Sequence, residues 1–553
     1  MKLRRILTLS LACASLGAFA QTHIEGEEYY KADQLENAKD LLQRSLSNGQ
    51  TDKAVSNYYL GMIAVDQNNQ AEAAKYFSAG LAANPQYPYN YVGEGLLKLM
   101  QGDQKEAENL FKQADKNSKK DASLQIAIAR AYDRVDPVKY EKQIAKQVEK
   151  ARKFNMENPD IYMFEGDQHR ENKDWGRAAG MYEMATNYNP KATAAYVKYA
   201  NLYTMVNPDF AIKMLGNLLK ENPNSALGQR ELANAYYNKK EYAKAAAEYG
   251  KYVQNPSHFK SDENRYAFLL FYGQDYQKGY DYATKLLKED PNNFTAQRYQ
   301  FMNAAQIPEM KDQLLPLAEK LFARYKADPK NNRFAPIDFN LVAYEFQNAG
   351  RPDEAIEVLK AGIKEIPDFA DFNKTLAMTY IDKNDLTDAA DSYAEYMKKI
   401  EPGYNDYVQQ ATFDFYAGIE NKNDQAKATK YFEAAKENAT KAAEILPENY
   451  MPYKIYGDIA KQTAPTADAA ESAAVADYEK ASDLLETMIA NNIAEGKAVP
   501  NKYKSDAKDI NVYLGNHYYE KARIDEKAKM YYNRALAQDP NNDQLRNFVS
   551  KIK

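Results

Sequence analysis

Small residues, aromatics and proline return along this chain at a period close to 34 residues, and that recurrence constrains the fold more than any other feature. Gly61, Ala73, Phe77, Gly80 and Pro85 set the spacing, and Gly166, Ala178, Tyr182, Ala185 and Pro190 repeat it. It returns in Ala343, Ala355, Leu359, Gly362 and Pro367. Ala377, Ala389, Tyr393 and Tyr396 follow, with Pro402 one residue late. A repeat this short cannot bury its own apolar face, so successive units must stack and share a continuous core.

Within each unit the recurring residues fall three or four apart, which places them on one face of a first helix and one face of a second. Small residues let the two helices approach, and the aromatics fill the space beside them. Asn84-Pro85, Asn189-Pro190 and Asp290-Pro291 stop the second helix, because proline lacks a donor and pushes its predecessor out of the helical region. Polar breaks such as Asp66-Gln67-Asn68-Asn69 separate the helices. The pattern resembles the tetratricopeptide repeat, with small residues at positions 8, 20 and 27, aromatics at 11 and 24, and proline at 32. The resemblance covers about four-fifths of the chain after its leader and implies an all-α, right-handed α-solenoid of about 13–14 helix-turn-helix repeats.

Residues 1–20 read as a signal peptide: Lys2, Arg4 and Arg5 precede a short apolar run, and Ala18-Phe19-Ala20 offers small residues for cleavage before Gln21. The only cysteine, Cys13, lies inside this leader, and Ser10-Leu11-Ala12 before it fit a lipobox poorly. Soluble export to the periplasm or an outer-membrane-associated site is therefore expected over lipidation, and the exported chain must stand without disulfides. No later run is apolar enough to predict a transmembrane helix. Loss of the three leader cations moves the net charge from −5 to −8, a poor match to nucleic acid. Regular repeats are expected over 21–402, and C-terminal repeats with longer helices and a capping helix over 403–553. The segment from Ala464 to Ala470 reads either as a loop or as a helix start.

Catalytic constellations are missing from the sequence. The four histidines have no metal-ligand spacing, Gly93-Glu94-Gly95 lacks the rest of a phosphate loop, and no nucleophile motif occurs. Asp382, Asn384 and Asp388 lack the glycine and closing glutamate of a calcium loop. The chain is read as a non-enzyme with no cofactor or metal. What stands out instead is 46 tyrosines against one tryptophan, more than the repeat positions absorb. Surface tyrosine suits recognition, offering apolar area and a hydroxyl at low entropy cost.

The resemblance further implies that positions 2, 5, 9, 12 and 13 of each first helix line the concave face. Carried onto this sequence, they give an apolar patch of Tyr58, Met62, Tyr89, Val92, Leu96, Leu99 and Met100. They also give a polar patch of Asn201, Arg230, Asn234 and Arg265, similar to part of the family's clamp for a peptide carboxylate. The expected function is an envelope protein–protein interaction scaffold holding an extended peptide or helix. The alternative is a glycan- or nutrient-binding outer-membrane-associated repeat protein. Partner identity and oligomeric state are not readable from the residues.

Overall fold

The structure, a computed structural model, describes residues 22–47 and 51–552. The leader and Cys13 lie outside the described residues. Among the described residues there is no strand, and none of the helices is long and apolar enough to cross a membrane. The chain forms two compact units, one up to Ile307 and one from Pro308.

Helices in the first unit alternate as the repeat requires. They begin with α1 Thr22–Lys31, α2 Leu35–Leu46, α3 Lys53–Asp66, α4 Gln70–Ala83, α5 Tyr89–Met100 and α6 Gln104–Asn117. Next come α7 Ala122–Val135, α8 Glu141–Phe154, α9 Pro159–Glu171, α10 Trp175–Tyr188, α11 Thr193–Tyr203 and α12 Pro208–Glu221. The unit closes with α13 Ala226–Asn238, α14 Tyr242–Tyr252, α15 Asp262–Tyr272, α16 Tyr276–Glu289 and α17 Phe294–Ala304. Odd-numbered members are the first helices of each pair, and successive ones pack on each other along much of the unit.

Local chemistry explains the boundaries. Turns between paired helices place Asp33, Asn68, Gly102, Lys173, Lys240 and Gln274 at positive φ. In the α3–α4 turn, Asn69 N–H donates to the Ala64 carbonyl and Gln67 N–H to that of Ile63, which satisfies the helix's last acceptors. Second helices then start on a side-chain cap, as when Asn69 accepts from Glu72 N–H and Asp174 from Arg177 N–H. Between the helices, a Cβ at Gly61 would lie 2.3 Å from the Phe77 ring, and one at Gly166 would lie 2.5 Å from that of Tyr182. Only a glycine admits those rings, so the small and aromatic repeat positions are one packing device.

Several buried tyrosines bring their hydroxyl to a carboxylate. Tyr182 donates to Asp167 at 2.8 Å and Tyr252 to Asp262 at 2.9 Å; in the second unit Tyr450 donates to Asp506 at 2.7 Å and Tyr478 to Asp458 at 2.6 Å. In these four the buried ring keeps a paired polar tip, and such tyrosines are structural.

In the second unit the helices are α18 Lys311–Ala327, α19 Pro336–Asn348, α20 Pro352–Glu365, α21 Asp371–Lys383, α22 Leu386–Met397 and α23 Tyr404–Glu420. The remainder are α24 Gln425–Ile445, α25 Met451–Thr463, α26 Ala467–Ala473, α27 Val475–Ala494, α28 Asn501–Asn516, α29 Asp525–Gln538 and α30 Asp543–Val549. Here α24 and α27 are the long second helices, and the Ala-rich segment is a connection as far as Thr466 and starts helix α26 at Ala467. Helix α18 runs through Pro316, where the lost N–H frees a carbonyl only one turn from the helix start.

One arrangement in the first unit has no counterpart in the repeat pattern: α1 packs against α11 and α13, so the stack closes on itself. Glu28 accepts the N–H of Ala194 at 2.7 Å and Glu25 that of Leu227 at 3.2 Å, each in the first turn of a helix. Arg170 pairs with Asp33 at 2.8 Å, and Tyr29 meets Phe259 edge-on at 5.3 Å. Most buried apolar side chains from Tyr29 to Leu270 form one cluster, and Ala178, Ala179, Tyr182 and Tyr199 form a second.

Candidate functional site

Closure turns part of the first-helix face into a chamber of about 400 Å³. Its wall comes from α1, α3, α7 and α9, the connection before α5, and the first residue of α5 itself. Tyr58, Met62 and Tyr89 of the anticipated apolar patch line it, together with Tyr59 and Tyr87. The Tyr58 ring is tilted against that of Tyr89 at 5.4 Å, and Tyr89 stacks on Tyr87 at 5.2 Å. Tyr89 donates to Asp121 at 2.9 Å.

Charged groups in the wall come in pairs. Lys31 lies 2.8 Å from Glu27 and 3.6 Å from Asp160; Arg134 lies 2.9 Å from Asp66. Arg130 reaches Asp167 at 2.8 Å, and buried Lys198 holds the same carboxylate at 2.6 Å. Burial pushes the Asp167 carboxyl up, but Arg130 and Lys198 outweigh it and hold the group at about 2. Burial raises the hydroxyls of Tyr58, Tyr59 and Tyr87 well above the ordinary phenol value, so they remain neutral O–H groups.

Other anticipated residues sit elsewhere. Val92, Leu96 and Leu99 are at most 2% exposed and belong to the core cluster, with Met100 packed against it. Asn201 is exposed on α11, and Asn234 is half-buried on α13. Arg230 donates to Asp262 at 2.7 Å and reaches Gln34 of the first repeat at 3.4 Å, so its charge has an internal partner. Arg265 lies 4.5 Å over the Tyr237 ring. None of these four lines the chamber.

Sequence reasoning passed over Arg130, Arg134 and Asp160, although the same repeat positions mark them. It also passed over a row in the second unit. Ile337 and Tyr344 on α19, Met378 on α21 and Tyr416 on α23 are large apolar side chains 37–56% exposed. Tyr344 and Met378 each follow the small residue of position 8, Ala343 and Ala377, so they occupy one repeat position on successive units. Both are positions that the family uses for its concave face.

A tetratricopeptide repeat family model matches residues 25–88, 201–258 and 343–404. A comparison with curated protein sequences finds no match. Among solved structures, the chain is similar to the C-terminal part of a TPR repeat-containing protein from Cytophaga hutchinsonii. That match has 18% identity and a TM-score of 0.38, and covers 51% of this chain and 98% of that one. It is also similar to pilF of Pseudomonas aeruginosa, at 19% identity over 39% of this chain and 97% of that one, with a TM-score of 0.27. A third similarity, to a chain of the APC/C hetero-tetramer Cut9–Hcn1, has 13% identity, covers 90% of this chain and 89% of that one, and has a TM-score of 0.25. Similarities this distant carry no argument about function.

Proposed function

The chain is a tetratricopeptide repeat protein, and from that premise we propose that it is a non-enzymatic scaffold of the bacterial envelope. On this reading it is exported by its leader and holds an extended peptide or helix of another protein on the first-helix face of its second unit. The observation that carries the reading is the open row of Ile337, Tyr344, Met378 and Tyr416. A single exposed apolar side chain needs no explanation, but Tyr344 and Met378 recur at one repeat position of successive units, with Ile337 two turns before Tyr344 on the same helix, and such recurrence marks an interaction surface. Tyrosine supplies rigid contact area and methionine an adaptable one. A partner helix would meet the row with its own apolar stripe.

The test is a cross-linking pull-down from an envelope fraction with the full exported chain and its Tyr344→Ser/Met378→Ser variant. One protein partner should be recovered reproducibly and lost with the variant. Undiminished recovery by the variant rules out this row, and recovery of no protein at all rules out the scaffold.

A further inference from the structure

The chamber of the first unit plays no part in that reading, yet it is built as a site. We propose that it binds an uncharged, polyhydroxylated small molecule of mono- to disaccharide size. Its volume of about 400 Å³ lies within the roughly 300–1,000 Å³ of small-molecule sites, and a wall of aromatics with a few placed polar groups is their usual lining.

Three hydroxyls define the chemistry. Tyr58 and Tyr59 are 6% and 7% exposed, and Tyr87 beside them is partly buried. Each side chain lines the chamber, and among the described residues none of the three phenols has a hydrogen-bond partner. Their oxygens are not among the side-chain atoms that are both buried and unpaired, so they open onto the chamber, and an occupant that displaced solvent there would have to both donate and accept. An apolar occupant would leave them unmet.

A charged occupant fits no better. Lys31, Arg130 and Arg134 are already neutralised by Glu27, Asp160, Asp167 and Asp66. An added ion would enter a desolvated space with no counter-charge to meet it. Those same ion pairs present carboxylate and guanidinium edges to ligand hydroxyls. The ring faces of Tyr58, Tyr87 and Tyr89, with Met62 and Met163, cover the apolar C–H faces of such a ligand.

The experiment is saturation-transfer NMR on the full exported chain with maltose, cellobiose and lactose, and with glutamate and lysine as charged controls. At least one neutral disaccharide should bind and both amino acids should fail. A Tyr58→Phe/Tyr59→Phe/Tyr87→Phe variant keeps every ring and removes only the hydroxyls, so its melting temperature should be unchanged. Each lost hydrogen bond is worth about a factor of five, so affinity should fall at least about tenfold. No transfer to any disaccharide at about 10 mM, above a weak millimolar Kd, would leave the chamber to water alone and overturn the proposal. Equal binding by the variant, or equal binding of the charged controls, would also overturn it. The variant should leave the protein pull-down unchanged, which separates this result from the fate of the scaffold reading.

Discussion

Glu25 and Glu28 should make closure of the first unit weaken as pH rises. Glu25 is buried and Glu28 half-buried, and burial lifts each carboxyl from 4.5 to about 7, even though the N–H groups of Leu227 and Ala194 favour the ionised form. Neighbouring charges act on both: Glu28 adds to the rise at Glu25, while Lys31 opposes the rise at Glu28, with Glu27 and Asp160 reinforcing it. A folded-state value above the unfolded one gives stability that is complete below about 4.5 and lost as pH rises through about 7. From the size of the displacement, each carboxyl carries at most about 3 kcal/mol of this effect. Glutamine at both positions still accepts the two N–H bonds and cannot ionise. Thermal unfolding of wild type and Glu25→Gln/Glu28→Gln should therefore coincide near pH 4.5 and separate as pH rises, the variant melting higher by pH 8. Asp414 in the second unit is also raised to about 7 by burial, so both proteins keep a common slope and the difference curve is the quantity to read. A unit of this size moves roughly 2–4 °C per kcal/mol, so the two carboxyls together set an upper bound of about 12–24 °C on the separation. Parallel curves, or a variant that melts lower at pH 8, would refute the reasoning.

Gly166→Ala should cost about 1–3 kcal/mol by driving a methyl into the Tyr182 ring. Gly180→Ala, with open space around it in the same repeat, should stabilise by about 0.5–1 kcal/mol; urea unfolding compares the two. Lys198→Met leaves Asp167 with Arg130, Arg170 and Tyr182 as partners and should cost about 3 kcal/mol. Because the Asp167 carboxyl then titrates higher, acid unfolding should begin at higher pH than in wild type, where this contribution is lost only as pH falls towards about 2. Tyr344→Ser/Met378→Ser should shift stability by no more than about 0.5 kcal/mol, as expected for exposed side chains.

The repeat was legible because its determinants are local. Gly61 and Phe77, or Gly166 and Tyr182, sit sixteen residues apart and report one helix–helix contact wherever they recur. The polar turns were equally plain, since Asn68 and Gly102 satisfy a left-handed position that ends a helix. Closure was hidden for the opposite reason. Glu28 and Ala194, or Arg44 and the His258 carbonyl, are brought together only by rotation accumulated over many repeats, and no local spacing announces it. Carrying over family positions therefore placed Tyr58, Met62 and Tyr89 on a shared wall but could not tell that Val92, Leu96 and Leu99 would be buried among their neighbours. Arg230 shows the same limit, because its partners Asp262 and Gln34 stand 32 and 196 residues away.

The account rests most on the open row of the second unit as a protein-docking face, and photo-cross-linking tests it most directly. A benzophenone side chain is placed at Tyr344, at Met378, or at Glu357 on the second helix α20, where the native side chain is 51% exposed. The cells are then irradiated intact. The account predicts one common protein adduct from positions 344 and 378 and none from 357. Adducts of equal yield from all three positions, or from 357 alone, would contradict it.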